Sequence, residues 1–107
     1  MIWTVETLNK VVDRELESLP ADQRAKFLRI AELIEAKGLD QIREPYVKHL
    51  DGLLWEIRMK GRDGISRALY VTASGRRVVV VRVFVKKSRK APRREIKLAL
   101  ERAKEVQ

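Results

Sequence analysis

Between Leu53 and Val85 the chain alternates in a way that few folds can accommodate. Three runs rich in β-branched and aromatic residues, "LLWEIRM", "SRALYVT" and "RVVVVRVFV", are separated only by the short Gly-containing stretches around "KGRDG" and "ASGR". Period-two runs bounded by such turns read as strands. Connections this short join antiparallel neighbours, because a parallel pair needs a crossover of about a dozen residues or more. The unit is therefore an antiparallel meander. Side chains alternate along a strand, so Trp55, Ile57 and Met59 share one face of the first run and Leu54, Glu56 and Arg58 the other. The alternation predicts Trp55 in the core with Ile57 and Met59. The third run is apolar on both sides of Arg82, which predicts a central strand covered on both faces.

A sheet with two faces to cover needs helices, and the flanking segments supply them. "IWTVE" predicts a short opening strand with Trp3 in the core. From Thr7, which can cap, Leu8, Val11, Val12, Leu16 and Leu19 recur at helical spacing. Pro20 ends that helix and can open the next, with Asp22 in the favourable first turn. Phe27, Ile30, Ala31 and Ile34 then share one face, and Gly38 suits the stop. The two helices form a predicted hairpin with an acidic outer face. "GLDQIREPYVKHLDG" has no clear period and contains Pro45, which predicts an irregular loop. From Pro92 a last helix runs to about Val106, with Ile96, Ala99, Leu100 and Ala103 on one stripe. The order β-α-α-β-β-β-α predicts an α+β fold: a small antiparallel sheet packed with an N-terminal helical hairpin and a C-terminal helix. At 107 residues, two independent cores would not fit, so residues 1–107 are expected to form a single domain.

Charge is the next constraint. The net charge of +9 is unevenly spread: residues 1–40 hold six basic and eight acidic side chains, and residues 41–107 hold eighteen and seven. It is densest in "FVKKSRKAPRREI", where Lys86, Lys87, Arg89, Lys90, Arg93 and Arg94 surround the start of the last helix. Cations there cost stability, because a helix N-terminus already carries partial positive charge. Its unpaired N–H groups also bind anions. The cluster thus disfavours the empty protein and favours one with phosphate bound. A polyanion is the implied target, and nucleic acid is the commonest one. The bland alternative is a basic face that serves solubility.

The chain has no cysteine and one histidine, His49, with no second metal ligand at a recognisable spacing. It has no Walker loop, GxGxxG or GxSxG, and the basic half lacks paired carboxylates. Neither a metal nor a cofactor is expected, so any chemistry falls to Arg, Lys, Tyr, Glu or His49. Glu56 and Arg58 share a strand face, Arg67 lies on the adjacent strand, and Lys86 and Lys87 end the third. The bland reading of Arg58 and Arg67 is a cross-strand salt bridge with Glu56, which contributes little stability at a surface. Trp55 and Phe84 are of the type that stacks on bases. No apolar run approaches the roughly 18 residues of a membrane span, and the start of the chain lacks the pattern of a secretion signal. A cytoplasmic protein is expected.

"LLWEIRM…SRALYV…VVVVRVFVKKSRKAPRREIKLALERAKEV" resembles the RelE/ParE toxin superfamily, and within it the phage-derived HigB-like branch. Its marks are a strand close to "LWELR", an arginine-tyrosine strand, then "FVKK", a proline and a C-terminal helix. The resemblance spans essentially the whole chain and is strongest from Leu53 to Ala103. It implies the toxin of a type II toxin–antitoxin pair: an endoribonuclease that cleaves mRNA in the ribosomal A site, against ribosomal RNA, and stops translation. The implied reaction transfers the scissile phosphate to the adjacent ribose 2′-OH without a metal. Carried over by position, Arg58 matches the second basic residue of the RelE strand and Arg67 the arginine before its "LVY". Lys86 and Lys87 match the basic pair ending its last strand. These four are the expected catalytic residues, with Lys48, Arg62, Arg89, Lys90, Arg93 and Arg94 binding RNA. Glu56 stands where RelE toxins have a lysine, and their C-terminal catalytic tyrosine has no counterpart. Glu56, His49, Lys48 and Tyr70 all stay open as general base or acid. The expected partner is a cognate antitoxin of helix-turn-helix type, through which alone operator DNA would be bound. Two other classes remain: a ParE-like inhibitor of DNA gyrase, and a non-catalytic basic nucleic-acid-binding module.

Overall fold

The computed structural model describes residues 2–86 and 92–107. Its elements run β1 (Thr4–Thr7), α1 (Lys10–Glu17), α2 (Ala21–Lys37), a 3-10 turn (Leu39–Gln41), β2 (Val47–Asp51), β3 (Leu54–Gly61), β4 (Gly64–Ala73), β5 (Arg77–Lys86) and α3 (Arg93–Ala103). The strands form one sheet in the order β1-β5-β4-β3-β2. The three-stranded meander forms as expected, with β4 antiparallel to both β3 and β5. β1 pairs with β5 in parallel, so the sheet is mixed rather than antiparallel throughout as expected; the two strands are joined through the helical pair and the meander, not by a turn.

Both faces of the sheet are covered, as the valine run in β5 requires. On one face Val12, Leu19, Phe27, Ile30 and Ile34 of the helical pair meet Ile57, Met59, Ala68, Tyr70, Val78, Val80 and Val83. On the other, Ala99 of α3, with Ile96 and Ala103 beside it, packs on Leu54, Leu69, Val71, Val79, Val81 and Phe84. Gly61 lets the tip of the β3–β4 hairpin press on the start of α2. A Cβ there would lie 2.6 Å from both Asp22 Oδ2 and Gln23 Cγ.

Four more expectations need correction. The cap of α1 is Asn9, whose side-chain oxygen accepts from Val12 N at 3.1 Å, while Thr7 is the last residue of β1. Asn9→Ala is expected to cost about 1 kcal/mol, measurable by urea unfolding. The segment around Pro45 is not wholly irregular, because Val47–Asp51 pairs with β3. Only Val47 of that edge strand is buried, so its charged residues hide the period. Trp55 has the parity of Ile57 and Met59, but the helices leave its end of β3 open, and it is 40% exposed. Leu100 faces outward, 38% exposed, and Glu95 joins the buried side of α3 in its place.

Glu95 belongs to a charge network that the valine run makes necessary. Arg82 interrupts that run, and a charge largely withdrawn from water needs a partner. It contacts Glu95 on α3 and Glu15 on α1, each at 2.7 Å, and Arg102 reaches the same Glu15 carboxylate at 2.9 Å. β1 pairs only with Arg77–Val80, so the remainder of β5 would be an open edge. There Glu15 Oε1 accepts from Val83 N at 3.1 Å, and Arg102 Nη1 donates to Val81 O at 2.9 Å. The network thus joins α1 and α3 through the backbone of β5. Burial would raise the Glu15 pKa. The Arg102 and Val83 hydrogen bonds and the charges of Arg82 and Arg102 outweigh it and hold the carboxyl below its ordinary value.

Candidate nucleic-acid interface

Strand register decides which charges meet. Arg58 on β3 lies directly opposite Arg67 on β4, and Arg67 opposite Phe84 on β5; Lys48 on β2 is opposite Glu56. Parity then sets Lys48, Glu56, Arg58, Arg67, Phe84 and Lys86 on one face, the one that α3 covers at its other end. At its centre Glu56 Oε2 lies 3.2 Å from Arg67 Nη1, and Glu56 Oε1 lies 4.0 Å from Arg58 Nε. The Glu56 and Arg67 side chains are 3% and 6% exposed, whereas Arg58 is 31% exposed. The cross-strand salt bridge therefore forms, but as a buried pair. Its carboxylate fixes the two guanidinia, which would otherwise repel across a directly opposed pair.

One carboxylate does not balance this face. Burial, and then the like charge of Arg58, push the Arg67 pKa down against the opposing pull of Glu56. Arg67 nonetheless stays protonated, as guanidinia do. Lys86 is held below the usual lysine range by desolvation first, then by Arg67, Arg58 and more weakly Lys48, with Glu56 acting in the opposite sense. An ammonium destabilised by its neighbours gains from an anion placed among them.

The structure does not gather every expected residue here. Arg93 and Arg94 occupy the first turn of α3. Arg94 borders a groove with Pro92, Phe84 and Val85, which brings the helix start beside the end of β5. Arg62 is at the tip of the β3–β4 hairpin, where its backbone N–H donates to Asp22 Oδ2 at 2.6 Å. Lys87, Arg89 and Lys90 lie outside the described residues. His49 and Tyr70 point away from the cationic cluster. Both have the parity of Trp55 and line a cleft on the opposite face. His49 is in strand β2 rather than a loop, its Nε2 2.8 Å from Gly52 O. Tyr70 is wholly buried, and burial pushes its phenol pKa far up. Of the four open acid–base candidates, Glu56 and Lys48 share the face of Arg58 and Arg67. Lys60 was not anticipated. It has the parity of Arg58 and lines a groove with it, a placement that the period of β3 already encodes.

Among the described residues, no helix is long and apolar enough to cross a membrane. Residues 14–104 match the model of a family described as phage-derived Gp49-like proteins. A search of curated proteins found no match. Among solved structures, the chain resembles one from the archaeal RelE–RelB complex of Pyrococcus horikoshii OT3. The TM-score is 0.62 at 22% identity, covering 81% of this chain and 98% of the other. That likeness is one of fold.

Proposed function

The chain belongs to the phage-derived Gp49-like family, a family of the RelE/HigB toxin type, and from that premise we propose that it is a ribosome-dependent endoribonuclease that cleaves mRNA and is neutralised by a cognate antitoxin. The observation that carries the catalytic reading is the juxtaposition of Arg58, Arg67 and Lys86 around one buried carboxylate. In the proposed reaction the ribose 2′-oxygen attacks the adjacent phosphorus and the bond to the 5′-oxygen breaks. A 2′,3′-cyclic phosphate and a 5′-hydroxyl result. Such a step needs in-line positioning, cations for the charge developing on the phosphoryl oxygens, and a group to take the 2′-OH proton.

Arg67 and Arg58 supply fixed positive charge, Arg67 from a nearly inaccessible position and Arg58 at the surface where RNA arrives. Glu56 is assigned as a positioning residue. Set between two guanidinia and 2% exposed, it has little access to a ribose. Lys86 is assigned the proton transfer, because it is the titratable amine beside Arg67 and Arg58, held below the usual lysine range by desolvation and by those two charges. Lys87, Lys48 and the arginines at the start of α3 are proposed to hold the flanking phosphates. The antitoxin, proposed to be of helix-turn-helix type, would mask this face, and both proteins would work in the cytoplasm.

Primer extension on ribosome-bound mRNA tests this reading, with the wild type producing discrete truncations. Lys86→Arg keeps the charge but removes a titratable amine. It is expected to retain RNA binding while cleavage falls about 10²-fold. The wild-type cleavage rate should rise with pH as the Lys86 ammonium deprotonates. Double-strand DNA breaks with intact mRNA would replace this reading by gyrase poisoning. Binding without any cleavage would replace it by a non-catalytic module.

A further inference from the structure

The face opposite the cationic cluster holds a feature that phosphate chemistry does not use. A cleft of about 700 Å³ opens beside the 3-10 turn, walled by Leu39, Ile42, Val47, Trp55 and Tyr70. Its volume lies within the range of small-molecule sites. Trp55 is 40% exposed, and His49 meets its ring edge-on, with centroids 5.0 Å apart and planes at 69°. Tyr70, wholly buried, lines the cleft, and its hydroxyl has no hydrogen-bond partner among the described residues. The exposed carboxylates of Asp40 and Glu44 stand on the rim with Arg43 between them in sequence. Lys48 also borders the cleft, and it is one of the charges acting on Lys86 from the cationic face. The two surfaces therefore meet along edge strand β2.

We propose that this cleft holds one nucleobase of the RNA strand whose phosphates lie on the cationic face, and that it selects bases carrying an exocyclic amino group over uracil. The inference rests on the RNA-cleaving reading above and adds how sequence is read. The exposed faces of Trp55 and His49 suit a flat ring, since aromatic stacking recognises the π-face that every base has. Selection comes from the rim. Carboxylates accept hydrogen bonds from an exocyclic amine, as they do from cytosine N4, and uracil offers no amine. An apolar side chain from a protein partner fits worse, because it would leave the Tyr70 hydroxyl unsatisfied and make no use of the charged rim. Lys48 can hold the phosphate of the same nucleotide as the strand crosses β2.

The test uses the full chain with Trp3→Phe, so that Trp55 is the single indole reporter. It is titrated without ribosomes with RNA trinucleotides whose central position is cytosine, uracil or abasic. Cytosine is expected to quench the emission and bind at least fivefold more tightly than uracil, and the abasic probe more weakly still with little quenching. Asp40→Asn combined with Glu44→Gln changes exposed side chains only. It should bring the cytosine and uracil affinities together. Equal affinity for the cytosine and abasic probes overturns the proposal, as does a cytosine preference that survives the double substitution. A protein side chain as the true occupant would give equal affinity for the cytosine and abasic probes, with quenching only on addition of the antitoxin. If the wild type cleaves mRNA but ignores the base, only the cleft assignment fails. If it cleaves nothing, the nuclease reading fails, and the titration still decides whether the cleft takes a base.

Discussion

Arg67→Ala is expected to lower ribosome-dependent mRNA cleavage roughly 10²- to 10³-fold, the loss typical of removing one fixed donor from a site of developing negative charge. It should also destabilise the protein by about 3 kcal/mol, because it strips the closest partner from a buried carboxylate. The two losses have separate remedies. Adding Glu56→Gln removes the stranded charge and should restore most of the stability without restoring cleavage. Urea unfolding and primer extension on the single and double variants check this together. If the double variant regained cleavage along with stability, Arg67 would be a structural partner of Glu56 and nothing more. Arg67→Lys is expected to fail as well, since a single ammonium cannot span Glu56 and a phosphate with the geometry of a guanidinium fork.

The second large effect concerns stability alone. Arg82→Ala leaves both Glu15 and Glu95 without their nearest cation. The expected cost is about 3 kcal/mol, the low end for breaking a buried pair, because these side chains keep some exposure and Arg102 still reaches Glu15. The same network predicts an acid limit. The Glu15 pKa in the folded protein lies below its ordinary value of 4.5, so its contribution is present above the unfolded-state pKa and is lost as pH falls through the folded one. Stability measured by thermal unfolding should therefore drop below about pH 4.5, and Glu15→Gln should flatten that drop. A curve of unchanged slope in Glu15→Gln would assign the acid sensitivity to other carboxylates.

How far the sequence carries depends on which residues decide each feature. The meander was legible because β3 alternates, β4 and β5 are long runs rich in β-branched and aromatic residues, and the turns leave no room for a crossover. β2 was not, because it is an edge strand with one buried side chain, and an unburied period is no period at all. Parity in β3 predicted that Glu56 and Arg58 share a face. It did not give the register against β4, which places Arg58 opposite Arg67 and turns the expected surface pair into a buried one. Trp55 shows the limit of alternation: parity fixes the face, and only the length of the covering helices fixes burial. His49 and Tyr70 were set aside from the cationic cluster by the same rule, applied across strands whose pairing sequence alone does not provide. Arg82 carried an unused signal, since a charge inside a valine run announces a partner elsewhere.

The backbone of β5 past β1 has one more implication. A strand whose neighbour stops halfway normally invites a foreign strand to complete the ladder. Here a carboxylate from α1 and a guanidinium from α3 occupy the vacant hydrogen-bonding positions at Val83 and Val81. That seam is closed to recruitment, and on β1 the outward Val5 N–H already donates to Glu35 Oε2 at 2.9 Å, so the margin left for a polypeptide that extends this sheet by β-augmentation is that of β2. The margin of β2 runs between the cationic surface and the aromatic cleft. A peptide docking there would come between two surfaces that RNA is proposed to bridge, and could silence the protein without covering either.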